Sequence, residues 1–291
     1  MNSYHLFKGR KVTIMCCSDC NVKCSHCYIS YKGNFSGNNL EECAKGLVEK
    51  GYKVALNGSE ILLHEEYLRT FRVVGQTRVM TNGLVFKDNY SYLDLLKSYG
   101  ISTYNISYHF DLHDLISPVP MEYLHLLFKE ITQRGLKFTI NCTISTQNMT
   151  KICDYCREAY SLGACRIRFT NLLNVGMAVD LDRKLFLEGT QILEVLDRIK
   201  ECRGWFDKDE FYIERCGSFG VGNDKSKFRC TAGIDEVYIT PDMKVYPCPF
   251  LTKRSNEIGF FSNGNVFIHN DYVNNQEKCM AHSKLNGFSQ I

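Results

Sequence analysis

Three cysteines close to the N-terminus have a spacing that could bind a metal cluster. The loop reads Cys20-Asn-Val-Lys-Cys24-Ser-His-Cys27, and the apolar run 11–17 before it is typical of a strand. Cysteine thiolates are the ligands that hold Fe–S clusters. Three thiolates on one loop can bind three irons of a 4Fe-4S cubane and leave the fourth iron open to a small chelating molecule. The spacing therefore predicts such a cluster on Cys20, Cys24 and Cys27.

Zinc is the alternative metal for this loop. Cys17 with Cys20, and Cys24 with Cys27, form two CxxC pairs, but only three residues separate the pairs. Zinc ribbons usually place roughly 12 or more residues between their pairs. We favour the cluster and keep a non-catalytic zinc-binding scaffold protein as the alternative function. The iron and zinc content of the protein distinguishes the two.

Composition excludes several classes of protein. Of 291 residues, 44% are hydrophobic and 23% are charged, and the net charge is only +3. These values are typical of a globular domain and give no reason to expect a nucleic-acid or membrane partner. The 15 cysteines are an odd number, and residues 1–10 are no signal peptide. We therefore expect a cytoplasmic protein in which the thiols are free to bind metal.

The elements that must position the cysteine loop alternate along the chain. Strand-like runs and helical patterns take turns up to about residue 175, and such alternation predicts βαβ units with a parallel sheet. Six units are too few for a closed eight-unit barrel. We expect an α/β fold, a partial (β/α)6 TIM barrel, with the cysteine loop at the carboxyl end of its first strand. The predicted strands are 11–17, 53–56, 77–80, 103–107, 138–144 and 165–169.

The pattern changes after Asp180. One amphipathic helix spans 190–202, and short β-like pieces separated by Gly and Asn follow from Cys216 onward. So short a segment needs a metal to stabilise its core. We expect a barrel domain at 1–185, a linker helix within 186–214, and a small C-terminal β-hairpin/α iron–sulfur lobe at 215–291.

The motif Cys20-x3-Cys24-x2-Cys27 resembles the signature of the radical S-adenosylmethionine (SAM) superfamily, and the resemblance covers most of the chain. It implies that SAM binds the open iron and that the segments after successive strands contact SAM. Two departures occur: Ser59 replaces a family glycine, and Ser117-Pro118 lies where relatives often have an arginine. The SAM-binding residues that the resemblance implies are Gly58, Ser59, Glu60, Asn82, Ser107, Asn141, Leu172 and Gly176.

The C-terminal segment from Phe228 to Cys248 resembles the twitch and SPASM extensions of the same superfamily, which bind auxiliary 4Fe-4S clusters on a small hairpin. Met243 stands where the hairpin glycine is customary. The resemblance implies one auxiliary cluster rather than two, and His282 could replace one of its cysteine ligands. The four expected ligands are Cys216, Cys230, Cys248 and Cys279.

The resemblance also implies a reaction. The reduced cluster would cleave SAM to methionine and a 5′-deoxyadenosyl radical, which would abstract a hydrogen atom from the substrate. The auxiliary cluster would conduct an electron away. Oxidation, cross-linking and epimerisation all remain open as outcomes. His109, Asp111 and His113 follow the fourth strand, and we expect one of them to take a proton from the substrate.

Substrate and partners follow from the same resemblance. Members of this kind modify peptides or small natural-product precursors, and a one-electron reductant such as flavodoxin or ferredoxin would serve them. Peptide-modifying members often carry a leader-binding module ahead of the barrel, and only 19 residues precede Cys20. We therefore expect a small molecule, a leader-independent peptide or a separate recognition protein.

Overall fold

The computed structural model describes residues 3–220 and 230–274, and parallel strands alternate with helices between residues 11 and 215. All six predicted strands are present. Three further strands, β1, β8 and β11, were not predicted. The strands are β1 (Tyr4–Leu6), β2 (Lys11–Met15), β3 (Lys53–Asn57), β4 (Arg78–Thr81), β5 (Thr103–Ser107), β6 (Lys137–Ile144), β7 (Arg166–Asn171), β8 (Tyr212–Arg215), β9 (Glu236–Ile239), β10 (Lys244–Tyr246), β11 (Gly259–Ser262) and β12 (Asn265–His269).

The helices lie between these strands and bury one face each. In α5 the buried residues are Leu124, Leu127, Phe128 and Ile131, which is the spacing of a helix that packs on a sheet. The ring of Phe128 stacks on Phe138 of β6 at 4.4 Å between centroids. The helices are α1 (Gly37–Glu49), α2 (Leu68–Val74), α3 (Tyr92–Ser98), α4 (His113–Ile116), α5 (Met121–Gln133), α6 (Ile152–Ser161) and α7 (Gly189–Cys202).

Two sheets form an incomplete barrel. Strands β4 to β8 pair in sequence order, all parallel, and β2 pairs in parallel with β3 in the other sheet. Parallel strands joined by helices are the expected product of consecutive βαβ units. The predicted partial barrel is confirmed, and no closed barrel forms among the described strands.

A side chain bridges the gap between the two sheets. Strands β3 and β4 do not pair through their backbones, and Gln76 precedes β4. Its amide oxygen accepts the N–H of Leu56 at 2.7 Å, and its amide nitrogen donates to the carbonyl of Leu56 at 3.1 Å and to that of Arg78 at 2.6 Å. Gln76 therefore satisfies backbone groups that a neighbouring strand would otherwise pair.

The chain returns to its beginning after β8. Strand β9 pairs in parallel with β2, and β12 pairs antiparallel with β1, so the described C-terminal strands continue the sheet that holds the cysteine loop. Met243 in the β9–β10 turn has φ of 60°, the left-handed conformation that glycine adopts without strain. The division at 185 and 215 stays a prediction. Within 3–220 and 230–274, no helix combines the length and apolar character needed to cross a membrane.

Candidate active site

The cysteine loop follows β2 and is fixed by contacts with two other segments. The N–H of Ser59 donates to the carbonyl of Cys17 at 3.0 Å, and the N–H of Glu60 donates to that of Asp19 at 2.9 Å. Gly58 packs so closely on Cys17 that a Cβ there would lie 3.0 Å from its sulfur. The segment 58–60 therefore holds the start of the loop through backbone contacts.

The end of the loop is held in the same way. Gly176 has φ of 62°, and a Cβ on it would lie 2.2 Å from the carbonyl oxygen of Cys27. The N–H of Met177 donates to that oxygen at 2.8 Å. Only glycine permits this approach, because any side chain would displace the backbone at Cys27. Gly58, Ser59 and Gly176, which the resemblance implies to contact SAM, lie next to the cysteine loop.

The three thiols of the loop interact with one another. Burial, together with the neighbouring thiols of Cys27 and Cys20, raises the pKa of Cys24 to about 12, because three thiolates repel one another. Burial also raises the pKa values of Cys20 and Cys27. A bound cation reverses this cost, since metal binding releases the thiol protons. The trio therefore fits a cationic iron–sulfur core. In the ranges the structure describes, no three His, Cys, Asp or Glu side chains are arranged around a single ion.

Glu60 and Asn82 lie beside Cys20. Glu60 is fully buried, and its Oε2 accepts the N–H of Asn82 at 2.8 Å, whereas its Oε1 is buried without a partner among the described residues. Burial raises the pKa of Glu60 to about 7, although the bond from Asn82 acts in the opposite direction. Asn82 Nδ2 donates to Cys20 Sγ at 3.6 Å. A buried carboxylate oxygen without a partner fits the SAM ammonium that the resemblance assigns to it.

A cavity of about 780 Å³ lies inside the barrel below the cysteine loop. Ser107, Asn141 and Leu172, which the resemblance assigned to SAM, line it. Both amide atoms of Asn141 are buried without a partner in the described structure, as is Oδ1 of Asn105 on the neighbouring strand. Unpaired buried amides facing a cavity of this size indicate a polar ligand. Asn105 was not predicted, because nothing in the run Thr103–Ser107 distinguishes it from an ordinary strand residue.

Only one of the three predicted proton-transfer residues lines the cavity. His109 does, and its Nδ1 accepts the N–H of Thr143 at 3.1 Å, so its proton lies on Nε2, which is buried without a partner among the described groups. Burial holds the pKa of His109 well below its usual range, and the ring is neutral.

The other two residues predicted for proton transfer do not line the cavity. Asp111 is exposed and forms an ion pair with Lys151 at 2.7 Å, outside the cavity. His113 is buried but has two partners: its Nδ1 accepts the N–H of His109 at 3.1 Å, and its Nε2 donates to the carbonyl of Val119 at 2.7 Å. Asp111 therefore joins two surface segments, and His113 fixes a turn.

Two aromatic residues of the cysteine loop were given no role from the sequence. His26 lines the cavity, its Nδ1 donates to the carbonyl of Ile116 at 3.0 Å, and its ring meets that of His109 edge to face at 4.7 Å. Burial lowers the pKa of His26 to about 4, so it is neutral. Tyr28 also lines the cavity, and burial, with smaller effects of Cys27 and Cys216, raises its pKa to about 12. Their position beside the third cysteine was the available signal.

Three of the four cysteines predicted to hold an auxiliary cluster line the same cavity. They are Cys216 after β8, Cys230 before β9 and Cys248 after β10. Cys279 and His282 lie outside the described residues. Arg168 of β7 donates to Cys216 Sγ at 3.6 Å. The cavity lining thus includes thiols from three separate segments of the chain.

The sequence and the fold are similar to those of known proteins. The chain is 24% identical over 281 residues to the antilisterial bacteriocin subtilosin biosynthesis protein AlbA of Bacillus subtilis, covering 87% of this chain and 56% of AlbA. Streptococcus suis SuiB, solved with precursor peptide SuiA, superimposes with a TM-score of 0.68 at 16% identity, over 87% of this chain and 62% of SuiB. No protein-family model matches the sequence.

A third protein, anSMEcpe with bound AdoMet, superimposes with a TM-score of 0.64 at 16% identity, over 87% of this chain and 77% of that one. The chain shares the fold of SuiB and anSMEcpe, and its Cys20-x3-Cys24-x2-Cys27 motif resembles the radical SAM signature. It spans just over half the length of its curated relative AlbA. The solved structures show the fold. The cysteine loop and Glu60 mark where a cluster and SAM would bind.

Proposed function

We propose that this chain is a radical SAM enzyme that cleaves SAM reductively and abstracts a hydrogen atom from a peptide. AlbA takes part in subtilosin biosynthesis, and SuiB binds the precursor peptide SuiA. The single observation that supports the proposal most strongly is the cysteine trio beside Glu60, whose buried Oε1 lacks a partner among the described residues. When bound, the cluster would supply the electron that splits the SAM sulfonium to give the hydrogen-abstracting radical.

The chain's own residues bind and orient the reactants. Cys20, Cys24 and Cys27 would hold three irons, and Glu60 would accept the SAM ammonium. Ser107 and Asn141 line the cavity with unsatisfied or half-buried polar groups that can hold the remainder of SAM.

His109 has a narrower role than the sequence suggested. Its neutral ring carries the proton on Nε2 and offers it to the cavity without a competing partner in the described structure. A neutral imidazole whose Nδ1 is already occupied donates a hydrogen bond more readily than it removes a proton. We therefore propose that His109 orients a substrate or SAM oxygen, and that proton removal falls to another group.

Cys216, Cys230 and Cys248, with Cys279, would hold an auxiliary 4Fe-4S cluster that accepts an electron from the substrate. A flavodoxin or ferredoxin would deliver electrons to the first cluster. Whether the product is an oxidised, cross-linked or epimerised peptide depends on where that electron goes.

SAM cleavage tests the proposal directly. Protein reconstituted anaerobically with iron and sulfide should contain about eight irons and no zinc, because each cubane holds four. With dithionite and SAM it should form 5′-deoxyadenosine, measured by liquid chromatography. The Cys24→Ala variant should lose this product, while Cys43→Ala, a buried cysteine of α1 away from the cavity, should keep it. Colourless protein with stoichiometric zinc, or no product from brown protein, would refute the enzyme.

A further inference from the structure

A cluster of charged side chains lies in the barrel wall next to Cys216. Arg166 and Arg168 of β7 both face Glu214 of β8: Arg166 Nη1 lies 2.9 Å from Glu214 Oε2, and Arg168 Nε lies 3.6 Å from Oε1. Arg78 of β4 is close enough for its pKa to respond to all three. Arg166 and Arg168 therefore share one carboxylate, with Arg78 nearby, which leaves a surplus of positive charge in this part of the barrel wall.

Arg168 contacts the sulfur of Cys216 with its guanidinium group. Its Nη2 donates to Cys216 Sγ at 3.6 Å, and its Nε is buried without a hydrogen-bond partner among the described residues. Arg168 also lines the cavity, whereas Arg166 and Glu214 do not. Only 33% of the Arg168 side chain is exposed, and an anion in the cavity would complete its set of partners. The group that Cys216 would help to bind, a cubane with four thiolates, is such an anion.

We propose that Arg168 sets the reduction potential of the auxiliary cluster by donating a hydrogen bond to the ligand Cys216. This inference rests on the proposed function, which supplies the cluster. One-electron reduction adds one negative charge to a cubane, and hydrogen bonds to its sulfurs together with nearby positive charge stabilise the reduced form. Arg168 therefore makes the cluster a better acceptor for the electron that leaves the substrate. Within the barrel wall it acts as a positioning residue, not a catalytic one.

The test uses full-length protein that carries only the auxiliary cluster, made by changing Cys20, Cys24 and Cys27 together to alanine. The midpoint potential is measured by titration with a reductant, followed by electron paramagnetic resonance. In this background Arg168→Gln removes the charge and the donor fork, and the potential should shift to more negative values. Arg168→Lys keeps the charge but cannot reach both Glu214 and Cys216, so it should shift the potential in the same direction by less.

Arg166→Gln is the matched control, because Arg166 lies on the same strand and bonds Glu214 but no thiol. It should shift the potential less than Arg168→Gln. The hydrogen-bond role would be overturned if Arg168→Gln left the potential unchanged, or if Arg166→Gln shifted it equally. Neither result would contradict the presence of the auxiliary cluster. If Arg168→Gln loses its iron, an Arg168→Lys potential equal to that of the parent would overturn it. A parent without iron would overturn both the auxiliary cluster and the inference.

Discussion

Ligand binding and burial favour opposite protonation states of Glu60. Binding an ammonium requires its ionised form, but burial raises its pKa from 4.5 to about 7 in the protein without SAM. A folded-state pKa above the unfolded value means that the folded state favours the protonated acid. The contribution of Glu60 to stability is therefore complete below about pH 4.5 and is lost as the pH rises through about 7.

The Glu60→Gln variant removes this titration and keeps an acceptor for the N–H of Asn82. Between pH 5 and pH 8, the free energy of unfolding of the wild type should fall by up to roughly 3 kcal/mol relative to that of Glu60→Gln. Urea unfolding of the iron-free protein measures it. Equal pH dependence in the two proteins would contradict a buried titrating Glu60. At pH 8 the variant should also bind SAM at least about tenfold more weakly.

Individual residues differed in how far the sequence could predict them. Cys20, Cys24 and Cys27 were predictable because their spacing alone carries the chemistry. Asp111 was not, since its position after a strand says nothing about Lys151, 40 residues later, which holds it at the surface. The contacts of His113 were not predictable for the same reason, because its partners are backbone groups of a turn that no residue pattern predicts.

At the scale of elements, the gap between β3 and β4 depends on one side chain. Gln76 bonds both the N–H and the carbonyl of Leu56. Gln76→Leu would leave these backbone groups without partners, and each unsatisfied buried group costs about 1–3 kcal/mol. We expect the free energy of unfolding to fall by roughly 2–4 kcal/mol, with faster hydrogen exchange at the amide of Leu56.

Gln133→Leu is the control for this substitution, because Gln133 is exposed at the end of α5. It should change stability by less than about 0.5 kcal/mol. If both variants are equally stable, Gln76 does not join the two sheets. The six parallel strands were predictable from their apolar runs, but β8 was not, since its four residues follow a helix and only their pairing with β7 defines them.

At the scale of the molecule, three chain segments meet at the cavity through Cys216, Cys230 and Cys248. A cluster that binds all three would link the end of the barrel to the β9–β10 hairpin, and metal binding of this kind contributes directly to folding stability. Iron removal should therefore speed cleavage within residues 230–274 in anaerobic limited proteolysis, read by mass spectrometry of the fragments.

The Cys248→Ser variant provides the comparison. It should be cleaved rapidly with or without a chelator, whereas the wild type should be protected until iron is removed. Chelator-independent cleavage of the wild type would contradict a structural role for the auxiliary cluster. The sequence could suggest these ligands by resemblance, but it could not show that β9 returns to β2, because that pairing joins residues more than 200 positions apart.

The pairing of β1 with β12 has a practical consequence for anyone expressing shortened forms of the chain. Boundaries chosen to begin just ahead of the cysteine motif would delete Tyr4–Leu6 and leave His269, Ile268 and Phe267 without their neighbours. The exposed edge of β12 would then pair with other copies of the chain and cause aggregation. Such a fragment would be inactive because it aggregates, not because its cysteine loop is defective.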